Sequence, residues 1–196
     1  MERIGLLAGA GKLPVECAKA AKLLGYEVYA VALLPETDAE LKECTADCQS
    51  ISIAHLDAVL NYLKEHQVSK VTMIGKVTKE LLFSGKVQPD ARMLKLIMEL
   101  PDRKDDTIMM MFVRELAKAG IQAFDQTALI RRLMPHRGVI TKREPTAEER
   151  KDMEFGFRMA KEIGRLDVGQ TAVVKNMAVM ALEAIEGTDA CIHRGG

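Results

Sequence analysis

The stretch "RIGLLAGAGKLPVECAKAAKLLG", Arg3 to Gly25, decides the fold. Arg3 leads a continuous apolar run that ends at Ala8, just before a glycine, the pattern of a strand buried on both faces. Gly9 and Gly11 then mark a turn. Pro14 suits the first turn of a helix, Val15, Ala18, Ala21 and Leu24 or Leu23 recur at helical spacing, and Gly25 closes the helix. Strand, glycine turn and helix make the opening half of a β-α-β unit.

Working outward, Tyr26 to Leu34 is rich in Val and Tyr and reads as a second strand. Pro35 to Asp38 is a loop, Gln49 to Ala54 reads as a third strand, and Leu56, Val59, Leu60 and Leu63 mark one face of a helix. Lys70 to Ile74 alternates as a fourth strand and stops at Gly75. This order predicts an α/β fold, a Rossmann-like parallel sheet with right-handed crossovers. Beyond Pro89-Asp90, the spacing of Met93, Leu94, Ile97 and Met98 predicts a helix, and that of Ile108, Met111, Phe112 and Leu116 predicts another, ended by Gly120. Met109-Met110-Met111 reads as core filling. Ile121 to Phe124 returns as a last strand.

Arg137 to Pro145 breaks the pattern with Gly, Pro and charge. The expected organisation is an N-terminal domain over 1–136, a linker over 137–145 and a smaller α/β unit over 146–196, short enough for its core to be incomplete. Thr146 and Glu149 form a capping box, and Met153, Phe157, Ala160 and Ile163 carry the apolar face of the helix that follows. Thr171 to Lys175 is strand-like. Ala178 to Ala184 fits a helix by its Ala and Leu content and a strand if Asn176 seats a hairpin turn; the hairpin is preferred. Thr188 then reads as the cap of a terminal helix starting at Asp189.

The bulk numbers fit such a protein. A chain of 196 residues with 48% hydrophobic and 29% charged residues is ordinary for a globular fold. Lys plus Arg and Asp plus Glu each count 28, so no nucleic-acid partner is expected. A neutral total still allows a local patch that meets anionic lipid. The longest apolar stretch, Val28 to Leu34, is too short to span a bilayer. Met1-Glu2-Arg3 runs straight into a strand with no small-residue cleavage site, and Cys17, Cys44, Cys48 and Cys191 form neither a CxxC pair nor a paired framework. A cytoplasmic protein with reduced thiols is therefore expected. Cys44 and Cys48 lack a second pair of ligands nearby and read as plain thiols. Trp is absent and Met counts 12, so Met is expected to fill much of the core.

Two phosphate motifs fail on the glycine turn. A Walker A loop would need Gly in place of Leu6 and Ser or Thr in place of Leu13. The dinucleotide fingerprint would need its third Gly at Pro14, and no acidic ribose ligand ends the second strand. Two readings stay open: an anion site built from backbone N–H groups and Lys12 at a helix start, and a tight turn whose glycines serve sterics alone. Elsewhere, Asp105-Asp106 read as first-turn carboxylates facing a helix dipole. Asp167 and Gln170 lie in "GRLDVGQ", a shaped loop between two glycines. Thr188 and Asp189 follow Glu186-Gly187 at a helix start, where capping and a functional role fit equally. Asp167 and Asp189 together are candidates to hold a divalent cation or orient water at a phosphate. The four histidines, His55, His66, His136 and His193, show no ligand spacing and read as solvated surface. No serine-nucleophile elbow occurs.

The blocks "GLLAGAGKLPVECAKAAKLLG", "KVTMIGKV", "PDARMLKLI", "KDDTIM", "EIGRLDVGQTAVVKN" and "EAIEGTDACIHRGG", in this order along the whole chain, resemble the LpxI family of UDP-2,3-diacylglucosamine pyrophosphatases. The resemblance implies two α/β domains joined by a linker, with a lipid-nucleotide substrate between them. It implies hydrolysis of UDP-2,3-diacylglucosamine to 2,3-diacylglucosamine 1-phosphate (lipid X) and UMP in lipid A synthesis. Water would attack the α-phosphorus, supported by a divalent metal, usually Mg²⁺. By matching motif, Gly9, Ala10, Gly11 and Lys12 would face the ligand from the first domain. Gln170 and Thr188 would do so from the second, with Asp167 and Asp189 as the catalytic pair and the metal ligands unassigned. The setting implied is the cytoplasmic face of the inner membrane, touched peripherally, and a homodimer is compatible with it. The hairpin over Ala172–Lys175 and Ala178–Ala184 is also implied.

Two departures from the family pattern stand out. Met177 occupies a position where Gly would make a better Asn-Gly turn. Family members also continue past the "EGTD" helix with a segment containing a lysine, prolines and an acidic residue implicated in catalysis, whereas this chain stops at Arg194-Gly195-Gly196. If these residues are the whole protein, a crippled hydrolase or a binding-only relative is expected; if they are a piece, the activity belongs to the parent. A dinucleotide-dependent oxidoreductase is the remaining alternative, disfavoured by Pro14.

Overall fold

The computed structural model describes residues 1–77 and 87–196. They divide into two compact units, Met1–Met134 and Pro135–Gly196.

The first unit is a doubly wound α/β sheet. Strands β1 (Glu2–Ala8), β2 (Tyr26–Ala32), β3 (Asp47–Ser50), β4 (Lys70–Ile74) and β5 (Gln122–Ala123) are all parallel, in the order β3-β2-β1-β4-β5. Successive strand residues point to opposite faces, so β1 feeds two cores. Ile4, Leu6 and Ala8 pack with α1 (Leu13–Leu23), α2 (Leu41–Cys44) and α6 (Gln126–Ile130). Leu7 packs on the other face with α3 (Leu56–Glu65), α4 (Ala91–Glu99) and α5 (Asp105–Lys118). Burial on both faces is why β1 reads as an unbroken apolar run.

Three details depart from the sequence reading. The third strand is Asp47–Ser50 rather than Gln49 to Ala54. Ile51 and Ile53 are buried and donate N–H bonds to the Ala32 and Leu33 carbonyls at 3.1 and 3.3 Å, but they lie past the ladder. Apolarity there marks burial, while the edge strand itself is polar apart from the half-buried Cys48. On α4 only Met93 is fully buried, and Leu94 and Met98 face out. On α5 the expected stripe is buried, but Met109 and Met110 are each 48% exposed, so of the Met triplet only Met111 fills the core. Asp105 and Asp106 do occupy the first turn of α5.

In the second unit, α7 (Ala147–Arg165) opens with the expected capping box: Glu149 N–H donates to Thr146 Oγ1 at 3.2 Å, and Thr146 N–H to Glu149 Oε2 at 2.8 Å. Arg143 grips the same carboxylate through two bonds of 2.7 and 2.6 Å and, as the main cause, lowers its pKa to about 2. Strands β6 (Ala172–Lys175) and β7 (Ala178–Leu182) form the antiparallel hairpin. Asn176 (φ 52°) and Met177 (φ 60°) supply the two positive φ values of a type I′ turn. Met177 is a strained occupant of that position. The Asp152 carboxylate holds the turn, accepting the Asn176 N–H at 2.8 Å and the Met177 N–H at 2.6 Å.

The hairpin is covered on both faces. Gly156 of α7 sits against Val174, and Gly195 of α8 (Thr188–Gly195) against Val173 and Ala181. The predicted apolar face of α7 has the right period but is buried only at Ile163; Met153 and Phe157 stay 60% and 65% exposed. The helix approaches the hairpin through Gly156, a residue that no apolar pattern marks. Among the described residues, no helix is long and apolar enough to cross a membrane.

Candidate functional site

The glycine turn lies at the carboxyl ends of β1 and β4, where the strand order reverses direction. In doubly wound sheets that crevice ordinarily receives a ligand. Here the turn after β1 is tied by its backbone to the residues that end and follow β4. Gly9 N–H donates to Ile74 O (2.9 Å), Ala10 N–H to Lys76 O (2.9 Å) and Lys76 N–H back to Ala10 O (3.0 Å). A Cβ on Gly9 would lie 2.7 Å from the Lys76 carbonyl oxygen, and one on Gly75 would lie 2.8 Å from Gly9. Gly9 is therefore required by close backbone packing, and the Gly9 and Ala10 N–H groups are spent inside the fold. Gly11 differs: its φ of 98° needs glycine, but the space beside it is open. The amides at the start of α1 have no intrahelical partner, so an anion at this turn meets Gly11, Lys12 and the helix start.

Lys12 already has partners. Its Nζ lies 2.8 Å from Asp38 and 3.0 Å from Glu40, and Glu40 also takes Lys19 at 2.7 Å. Asp38, then Glu40, pushes the Lys12 ammonium up from its ordinary value. Thr37 secures this loop by donating its hydroxyl to Ala8 O at 3.2 Å, and Gly11 bridges to Thr37. Spacing along the chain gave no sign of these carboxylates, because they come from the loop after β2.

In the second unit the "GRLDVGQ" loop is the C-terminal cap of α7. Asp167 N–H bonds to Gly164 O at 3.0 Å, and Val168 N–H to Ile163 O at 3.0 Å, the pair of bonds that defines a Schellman motif. The position that usually carries glycine holds Asp167, at φ 57°. A left-handed Asp costs more than Gly would there. Residues kept in such conformations cluster at functional sites.

Gln170 and Thr188 are brought together by a residue that the motif reading passed over. Glu183 Oε2 accepts the Gln170 N–H at 3.1 Å, and Oε1 accepts the Thr188 hydroxyl at 3.0 Å. The Thr171 hydroxyl lies 3.3 Å from that of Thr188. Hydrogen bonding, from the Thr171 hydroxyl first, holds the Glu183 carboxyl below its ordinary range, against the opposing effect of burial. Thr188 is not the cap that the sequence suggests. The N-cap of α8 is Gly187, and no side chain caps the helix. Asp189 occupies the first turn and is exposed.

Gln170 also lines an open groove of 1090 Å³ within this unit. Ile140, Met153 and Phe157 supply apolar wall, and Arg143 and Arg150 supply charge.

Among the described residues, no three His, Cys, Asp or Glu side chains stand ready to hold a metal ion. A diphosphate-bound Mg²⁺ needs only one or two protein carboxylates, the rest of its shell being phosphate and water. Asp167, at the C-terminal cap of α7, and Asp189, in the first turn of α8, are two exposed carboxylates on separate elements. The histidines do not join this set: His66 stacks on Tyr29 at 4.5 Å and meets Tyr62 edge-on at 4.6 Å, a packed rather than solvated ring. The cysteines are all free, and burial pushes the Cys17 thiol up to about 11.

Comparison with known proteins gives a consistent picture. The LpxI N-terminal domain model matches residues 3–133 and the LpxI C-terminal domain model residues 136–196. The chain is 32% identical over 197 aligned positions to the UDP-2,3-diacylglucosamine pyrophosphatase LpxI of Caulobacter vibrioides, covering 99% of this chain and 69% of that protein. Among solved structures it is similar to a UDP-glucose 4-epimerase from Stenotrophomonas maltophila with bound NAD (TM-score 0.41, 16% identity, 62% of this chain and 35% of that one). It is similar also to the Thermotoga maritima UDP-glucose 4-epimerase with UDP-glucose (TM-score 0.41, 14% identity, 61% and 35%). With both domain models matched in order along nearly its full length, the chain belongs to the LpxI family.

Proposed function

We propose that this chain carries the pyrophosphatase chemistry of its family: UDP-2,3-diacylglucosamine and water are converted to 2,3-diacylglucosamine 1-phosphate and UMP, a step of lipid A synthesis. The observation that carries the reading is similarity, over 99% of this chain and 69% of the relative, to a protein named for that activity; Asp167, held at a left-handed φ in the loop after α7, supports it.

The reading assigns substrate contacts in the first unit to Gly11 and Lys12, with Gly9 and Ala10 shaping the turn behind them. In the second unit it assigns them to Gln170 and Thr188. Asp167 and Asp189 orient the attacking water at the α-phosphorus and accept its proton, so that the bond to the bridging oxygen breaks and UMP departs with the new oxygen. Mg²⁺, held by the diphosphate and these two carboxylates, would supply charge neutralisation at the phosphates. The apolar wall of the groove beside Gln170 suits an acyl chain, its two arginines being paired with Glu149 and Glu144, and a lipid substrate implies peripheral contact with the inner-membrane surface from the cytoplasmic side.

The test is incubation with UDP-2,3-diacylglucosamine and MgCl₂ in H₂¹⁸O, with products read by mass spectrometry. The reading expects UMP carrying one ¹⁸O and unlabelled lipid X. Label in lipid X would move the attack to the other phosphorus. Substrate binding without UMP would leave a ligand-binding relative in place of a hydrolase.

A further inference from the structure

Residue 183 grips the loop before β6 in three ways. Its backbone N–H donates to Thr171 O at 2.9 Å. Its carbonyl lies so close to Gly169 that a Cβ there would fall 2.3 Å from the oxygen. Its carboxylate accepts the Gln170 N–H through one oxygen and the Thr188 hydroxyl through the other. The two groups held by that carboxylate are thirteen and five residues away, one on a loop and one at a helix start. The Gln170 N–H can only donate and the Thr188 hydroxyl donates here, so a carboxylate accepts from both at once through charge-assisted bonds.

We infer that Glu183 is a positioning residue, whose carboxylate locks Gln170 and Thr188 into one rigid surface for the substrate. This rests on the reading of Gln170 and Thr188 as substrate contacts. Neighbouring groups support the lock from other sides: Arg194 donates to Leu182 O at 2.7 Å and to Glu186 at 2.6 Å, and Cys191 is buried with its thiol towards Thr171 O. None of them reaches the Gln170 amide or the Thr188 hydroxyl; the Thr171 hydroxyl, 3.3 Å from that of Thr188 and itself bonded to the Glu183 carboxylate, belongs to the same lock, and Glu183 is the side chain that joins all three groups. A glutamine there keeps the shape but loses the charge, and its NH₂ must face either the Gln170 N–H, which cannot accept, or the Thr188 hydroxyl, which must then turn from donor to acceptor. An aspartate keeps the charge but is a methylene too short to span both.

The test compares the full chain with Glu183→Gln and Glu183→Asp by hydrogen exchange and by steady-state hydrolysis of UDP-2,3-diacylglucosamine well below the melting temperature. In Glu183→Gln the Gln170 amide is expected to exchange about tenfold faster or more, the scale of one lost charge-assisted hydrogen bond, while the β6–β7 amides stay within about twofold. Turnover efficiency, kcat/KM, should fall by a similar factor at unchanged Tm, and Glu183→Asp should not restore it. A merely structural residue would move Tm and hairpin exchange together. Unchanged Gln170 exchange, or faster exchange with kcat/KM unchanged, overturns the inference. If the wild-type chain releases no UMP, the hydrolase reading fails by itself, and the Gln170 exchange rate then decides the lock alone.

Discussion

The two units hold their shapes by different means. In the first, apolar residues of β1, β2 and β4 are buried on both faces of the sheet, and the critical turn is set by glycine backbones in contact, Gly9 on Gly75. In the second, Ile163, Ala181 and Cys191 are the buried apolar side chains, and Met153, Phe157, Met180 and Ile185 stay open to solvent. There the backbone is pinned by carboxylates: Glu149 at the start of α7, Asp152 at the hairpin turn and Glu183 at the loop before β6. A sheet with two apolar faces places a turn by packing. Carboxylates brace the first unit too, Asp90 accepting the Asp57 and Met93 N–H groups, but over two apolar cores; the second unit, with little apolar interior, leans on its ionised acceptors to place its loops.

The largest test of this contrast is at the glycine turn. Gly9→Ala drives a Cβ into the backbone of residues 75 and 76, and overpacking against an unyielding backbone is expected to cost about 3 kcal/mol or more. Gly11→Ala meets no atom and carries only the penalty of its positive φ, about 1–2 kcal/mol. Urea unfolding of the two variants checks the difference. Equal losses would mean that backbone contact between Gly9 and Gly75 does not hold the turn.

Acid provides the next test. The Glu149 pKa is lowered to about 2, by Arg143 first, and that of Glu183 is lowered as well. Groups with depressed folded pKa values stabilise the fold above their unfolded values, near 4.3 for Glu, and that stabilisation is lost as pH falls through the folded pKa. Asp38, Glu40 and Glu115 of the first unit are lowered too, but two apolar cores back that unit, so between about pH 4 and pH 2 amides of residues 146–183 should lose exchange protection before those of β1, β2 and β4. Simultaneous loss in both units would erase the distinction. Glu149→Gln should shift the onset in the second unit and leave the first unmoved.

Much of this was readable from local signals. Lys70–Ile74, the strand–glycine–helix opening, the Thr146–Glu149 box and the hairpin at Asn176 follow from residues adjacent or a helical turn apart. What escaped was long-range or polar. The edge strand Asp47–Ser50 meets a core only through the half-buried Cys48, and the apolar signal lies beyond it, at Ile51 and Ile53. Lys12 finds Asp38 and Glu40 across a loop, Asp152 reaches a turn more than twenty residues on, and Glu183 joins two motifs that look separate in sequence. The glycine turn was legible as a turn, but the commitment of its first two amides to Ile74 O and Lys76 O depends on chain sixty-odd residues away.

The most direct measurement of the central claim uses Asp167, where local stability and chemistry pull in opposite directions. Its φ of 57° at the end of α7 is the glycine position of the cap. Asp167→Gly should leave the second unit as stable as before or raise its stability by up to about 1 kcal/mol, and should remove UMP release from UDP-2,3-diacylglucosamine. Loss of UMP at equal or higher Tm is the predicted result; undiminished UMP release by Asp167→Gly would contradict the account.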